Sequence, residues 1–115
     1  MIKLSLFLTR RPDLSFEEFS DYWMNIHWPL VKTVPEITEN AIRYVQQHNI
    51  GAVPGPVTPA PFDGVAEAWF PDMAAVGRVM GSDGWANVVM KDDPNFLDVS
   101  KTLVMFSEEK VDFKA

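Results

Sequence analysis

Gly51-Ala-Val-Pro-Gly-Pro-Val-Thr-Pro-Ala-Pro-Phe62 carries four prolines and two glycines in twelve residues, too many for a helix or a central strand. The stretch reads as an extended or polyproline-like connection, and it divides the chain into two halves that repeat one pattern. Just before it, Asn40 to Asn49 puts Ile42, Tyr44 and His48 on one parity and Arg43, Val45 and Gln47 on the other, the period of a strand. Just after it, Gly64 to Phe70 alternates Val65, Glu67 and Trp69 with Ala66, Ala68 and Phe70, a strand with two largely apolar faces.

Further out, the first half begins with Ile2 to Leu8, where Ile2, Leu4, Leu6 and Leu8 share one face of a strand. Turn chemistry at Thr9 to Asp13 leads to Ser15 and, three residues on, Glu18, the spacing of a capping box that opens a helix. Leu14 and Phe19 stand where a hydrophobic staple would hold the chain's entry angle. Phe16, Phe19, Trp23, Ile26 and Leu30 then recur at steps of three and four, predicting a buried helical stripe. Pro29 cannot donate to the helix and disfavours helical angles at Trp28, so a kink beside His27 is expected. In the second half Met73 to Met80 and Ser82 to Val89 read as a helix broken at Gly81. Asp92 to Asp98 reads as a loop, Thr102 to Ser107 as a last strand, and the tail after Glu109 as exposed.

The order is βαβ, connector, βαβ. It predicts an α+β, ferredoxin-like βαββαβ fold over residues 1–115 as one domain, with helices on one face of a four-stranded antiparallel sheet. Helices cover one face only, yet strands carry apolar residues on both, which predicts a homodimer packed sheet to sheet.

The composition narrows the function. In 115 residues there are 16 acidic and 10 basic side chains, a net charge of -6 that repels phosphate backbones and argues against a nucleic-acid partner. No apolar run is long enough to span a membrane, and with no Cys the expectation is a cytoplasmic protein. No dinucleotide fingerprint or phosphate loop is present, and the two His do not form a short-range ligand pair, so no cofactor and no metal is expected.

Four residues carry the chemistry in this reading. His27 borders the apolar stripe, where a partly desolvated imidazole can take a proton from carbon and return it elsewhere; the bland alternative is a core His bonded to a carbonyl. Tyr44 is a candidate oxyanion donor, and His48, at the end of its strand, a second acid or base at a pocket mouth. Glu67 sits between Val65 and Trp69, either as an orienting carboxylate or as half of an ion pair with Lys3 or Arg43. Trp23, Trp69 and Phe7 are candidate walls for an aromatic substrate, with packing as the alternative.

Several motifs together resemble the EthD family. They are Arg-Arg-Pro-x-Leu-Ser-x-Glu-Glu-Phe-x-x-Tyr-Trp from Arg10 to Trp23, His-x-Pro-Leu from His27 to Leu30, and Arg-Tyr-Val-Gln-x-His from Arg43 to His48. Asp-Gly-x-Ala-Glu-x-Trp-Phe from Asp63 to Phe70 and Asp-x-Pro-x-Phe-Leu-Asp from Asp92 to Asp98 complete the series. The resemblance implies a dimeric α/β barrel, similar in fold to muconolactone isomerases, polyketide cyclases, dehydratases and monooxygenases. With the residues above, the leading expectation is a cofactor-independent proton-transfer enzyme of the EthD type, an isomerase, cyclase or dehydratase acting on a small cyclic, aromatic or polyketide-like carbonyl compound. The alternatives are a haem-binding or oxygen-using protein of the same barrel group, and a non-catalytic binding or dimerisation module. The Pro-rich connector departs from the family in composition.

Overall fold

The computed structural model describes residues 1–115. Strand β1 is Ile2–Leu8, and the first helical stretch runs as α1 (Phe16–Tyr22), a wide turn at Trp23–His27, and α2 (Trp28–Val31). A short helix α3 (Pro35–Asn40) precedes β2 (Arg43–His48); β3 is Gly64–Phe70. Helix α4 (Met73–Met80), a second wide turn at Trp85–Val89 and α5 (Met90–Asp92) follow, then single tight turns at Asp93–Asn95 and Val99–Lys101, and β4 (Leu103–Glu108). The strands form one antiparallel sheet in the order β2-β3-β1-β4, the ferredoxin-like arrangement.

Local chemistry accounts for the boundaries. The Ser15 hydroxyl accepts from the Glu18 N–H and the Glu18 carboxylate accepts from the Ser15 N–H, satisfying two free donors at the start of α1. Asp72 caps α4 by accepting from the Ala75 N–H, and α4 ends at Gly81 as expected. The fifteen-residue link between β2 and β3 closes where the Asn49 amide donates to the Phe62 carbonyl. There Asp63 also accepts from the Arg10 backbone and, at 2.5 Å, from its guanidinium.

Four expectations need correction. The irregularity beside His27 does not start at Pro29: Trp28 keeps helical angles, and the departure lies one turn earlier, where the Trp28 N–H reaches five residues back to the Trp23 carbonyl. That extra residue rotates everything after it by about one position. Ile26 and Leu30, placed on the buried stripe by a 3.6-residue period, are 47% and 38% exposed, while His27 and Val31 turn inward. The strand expected from Asn40 starts at Arg43, because Pro35 begins the six-residue α3. Asp92 to Asp98 is not all loop, for Asp92 closes α5 and Asp93 opens a tight turn.

The core has two parts on the helix-facing side of the sheet. One gathers Leu4, Phe70, Val31, Val34, Val76 and Val79; the other gathers Leu8, Phe19, Trp23, Ala66, Phe96 and Leu97. On this face β3 presents Ala66 and Ala68 between Gly64 and Phe70, and the two alanines leave room under the helices.

Candidate functional site

That room is a cavity of about 350 Å³ between the sheet and the helices. At ~30 Å³ for a water-sized group it holds about a dozen non-hydrogen atoms, a molecule of one or two rings. Twenty of its 24 lining residues are hydrophobic, and the exceptions are His27, Glu67, Asp93 and Thr102. Tyr44 stands among the aromatic walls.

His27 reaches the cavity because the wide turn at Trp23–His27 rotates it inward, where it is 6% exposed and its ring lies 4.6 Å from that of Phe96. Its Nδ1 is 2.7 Å from Asp92 Oδ2, and its Nε2 faces Asp93 Oδ1 at 3.6 Å. Asp92 is buried and also accepts from the Tyr22 hydroxyl at 2.6 Å and the Asn95 amide at 3.0 Å. Burial alone would raise the Asp92 pKa, but hydrogen bonds from Tyr22, His27 and Asn95 outweigh it and hold this carboxylate below its usual range. Asp92 is thus the fixed anion of the group, and Nδ1 carries the proton donated to it.

Asp93 is the opposite case. Desolvation, and then the neighbouring Asp92 charge, push its pKa up to about 7. Desolvation also lowers the pKa of His27, against the pull of Asp92. Two adjacent carboxylates are thereby driven apart, one held ionised and one poised to exchange its proton near neutrality, with the free Nε2 of His27 opposite the second. Nowhere do three or more His, Cys, Asp or Glu side chains converge as a metal site.

Tyr44 is stacked on Trp28 at 4.4 Å with the rings 5° from parallel, and burial raises its pKa to about 12. Its hydrogen bonding is set by Gln46. The Gln46 amide nitrogen donates both to the Trp23 carbonyl at 3.2 Å and to the Tyr44 oxygen at 3.0 Å. A carbonyl can only accept, so the amide orientation is fixed and its oxygen turns to His48 Nε2 at 2.9 Å. His48 therefore donates from Nε2 and accepts from the Ser20 hydroxyl at Nδ1, 2.6 Å away. Its ring stacks on Trp23 at 4.4 Å, and burial lowers its pKa. With its oxygen already accepting, Tyr44 keeps its own proton for the cavity.

Of the residues singled out from the sequence, His27, Tyr44 and Trp23 come together at the cavity. His48 does not line it; it is linked to it through Gln46. Glu67 contributes to the floor, but its carboxylate pairs with Lys3 on the opposite face of the sheet. Trp69 lies on that outer face too, between Lys3 at 5.1 Å and Arg43 at 4.8 Å, and Phe7 packs there on Phe62 at 5.2 Å. Three residues absent from the sequence reading, Asp92, Asp93 and Tyr22, complete the site. Asp92 begins the last of the quoted motifs and Tyr22 stands in the first, signals that could have found them; Asp93 is a variable position of its motif and carried none.

Comparison with known proteins agrees with this fold. The family model "EthD domain" matches residues 11–100. No curated protein matches the chain. An ethyl tert-butyl ether D (EthD) family protein of Bacillus halodurans C-125 is similar at TM-score 0.70 and 20% identity, over 95% of this chain and 99% of that one. An EthD-like protein of Ralstonia eutropha JMP134 is similar at TM-score 0.72 and 18% identity, over 97% and 94%. A dimeric protein of unknown function with a ferredoxin-like fold from Bacteroides fragilis NCTC 9343 is similar at TM-score 0.65 and 13% identity, over 94% and 95%. At these identities the solved structures share the fold.

Proposed function

The chain belongs to the EthD family, and on that premise we propose that it is a cofactor-independent proton-transfer enzyme acting on a small, mostly apolar carbonyl compound of one or two rings. The observation that carries this reading is the His27–Asp93 pair, which faces an apolar cavity with Asp92 fixed behind it. Near neutral pH the Asp93 carboxyl, with a pKa of about 7, exchanges its proton 3.6 Å from Nε2. Once that proton is released, the pair is a base in a desolvated space, suited to removing a proton from the carbon next to a carbonyl. The Tyr44 hydroxyl, uncharged until about pH 12, donates to the oxygen on which charge then develops. Returning the proton to another carbon is an isomerisation; delivering it to a departing hydroxyl is a dehydration.

The haem reading is less well supported. A haem, with roughly forty non-hydrogen atoms, exceeds a cavity that holds about a dozen.

We also propose that the chain works as a homodimer. Leu103 and Met105 on the outer face of β4 are 56% and 50% exposed beside Phe7 and Val65, and the Bacteroides fragilis neighbour is dimeric. Light scattering is expected to give twice the mass of one chain.

The catalytic reading is tested with 1-tetralone in D₂O, following loss of its α-proton signals by NMR. The protein is expected to speed exchange above buffer, and His27→Gln to lower that acceleration by a factor of ~10². Exchange no faster than in buffer, at tetralone concentrations that saturate the protein, would contradict the reading.

A further inference from the structure

One fully buried polar atom of the cavity has no hydrogen-bond partner. Thr102 Oγ1 is buried, and it is the one buried side-chain oxygen or nitrogen in the molecule without a hydrogen bond. Thr102 stands one residue before the first residue of β4 and shares its parity with Val104, which also lines the cavity. Its backbone N–H is satisfied by the Val99 carbonyl at 3.2 Å, so the local turn is complete without the hydroxyl. A buried hydroxyl left unpaired costs free energy, and a valine of nearly the same shape would avoid that cost. The hydroxyls of Tyr22, Tyr44, Ser20 and Ser82 all find protein partners.

From this orphaned hydroxyl in the cavity wall we infer that Thr102 is a specificity-determining residue that hydrogen-bonds a second oxygen of the bound molecule. The inference rests on the proposed function and deepens it. The substrate class narrows from an apolar ring carbonyl to one bearing a further hydroxyl, carbonyl or ring oxygen, remote from the carbonyl held by Tyr44. A hydroxyl both donates and accepts, so each of these three functions satisfies it. The inventory of polar groups then divides by task. His27, Asp93 and Tyr44 meet the reacting carbonyl and its neighbouring carbon, while Thr102 fixes which end of the molecule enters that corner. Cavity size agrees, since a fused two-ring ketone with one more oxygen has about a dozen non-hydrogen atoms.

The test is a comparison of ligands and variants by binding, independent of turnover. 1-Tetralone and its 5-, 6- and 7-hydroxy derivatives are titrated into the wild-type protein, Thr102→Val and Thr102→Ser, with Kd read from ligand-induced NMR shifts. At least one hydroxytetralone is expected to bind wild type about five- to tenfold more tightly than 1-tetralone, the worth of one neutral hydrogen bond. Thr102→Val should erase that advantage, leave 1-tetralone binding unchanged, and melt no lower than wild type without ligand. Thr102→Ser should keep the advantage. A hydroxyl preference that survives in Thr102→Val, or no preference in wild type while 1-tetralone binds, overturns the inference and leaves the proton-transfer reading standing. Failure of all four compounds to bind overturns both.

Discussion

The surroundings of the two histidines are built from different materials. His27 lies between two carboxylates and touches the cavity, whereas His48 lies between a hydroxyl, an amide and the face of Trp23. Burial lowers the pKa of both rings. At His48 every polar contact is neutral and every hydrogen bond is saturated, so the ring serves as a strut whose orientation passes through Gln46 to Tyr44. At His27 one nitrogen is committed to Asp92 and the other is left facing an acid that titrates near neutrality. A displaced histidine pKa thus does not mark chemistry by itself; an uncommitted nitrogen beside a second titrating group in an apolar cavity does.

The comparison can be broken most forcefully on the His48 side. A Cβ at Gly64 would stand 2.6 Å from Trp23 Cζ3 and 2.8 Å from the Gln47 carbonyl oxygen, and the latter belongs to a paired strand. Gly64→Ala is therefore expected to cost about 3 kcal/mol in denaturant unfolding, with Trp23 displaced from the His48 ring.

On the His27 side the largest effect is expected from Asp92→Asn, which removes the charge that Tyr22, His27 and Asn95 converge on. We expect a loss of about 2–3 kcal/mol at neutral pH. The pKa of Asp93 should fall because its like-charged neighbour is gone, and that of His27 should fall because the anion favouring its charged form is gone. Both are read by NMR titration, and a rise in either would contradict the assigned roles.

Asp93→Asn should act in the opposite direction on stability. The folded pKa of Asp93, about 7, lies above its ordinary 3.8. The protonated carboxyl is therefore accommodated at low pH, and stability is lost as pH rises from about 4 through about 7. The variant should be more stable than wild type by about 2 kcal/mol at pH 8, with the gap closing towards pH 4. That is about half of what the whole pKa displacement is worth, because the side chain keeps 27% of its exposure. Urea unfolding at the two pH values checks it. The smallest effect is expected from Tyr22→Phe: about 1 kcal/mol for one hydrogen bond, with the Asp92 pKa rising towards its usual range.

Much of the scaffold was legible in the sequence, because it is written in short-range patterns. Ile2–Leu8 and Gly64–Phe70 follow the two-residue period, and Ser15 and Glu18 form the capping box that their spacing announces. The site was less legible. A helical period of 3.6 puts Ile26 and Leu30 inside, and only the wide turn at Trp23–His27 brings His27 round instead; no residue type in that stretch signals such a turn. Asp92-Asp93-Pro94-Asn95 has turn composition, so its two acids read as solvated although they meet a histidine 65 residues away in the chain. Glu67 looked anomalous on an apolar strand, and the cross-strand partner that explains it, Lys3, was the plain alternative already in view.

The central claim is that His27 and Asp93 form one titrating unit on a ligand cavity, while His48 is locked outside it. An NMR pH titration of both imidazole rings, in wild type and Asp93→Asn, with and without 1-tetralone, tests it directly. We expect the His27 curve to show two inflections, one following Asp93 near pH 7 and absent from Asp93→Asn, and tetralone to move the His27 resonances but not those of His48. Both rings titrating as free imidazole near pH 6.5, with neither responding to tetralone, would contradict the account.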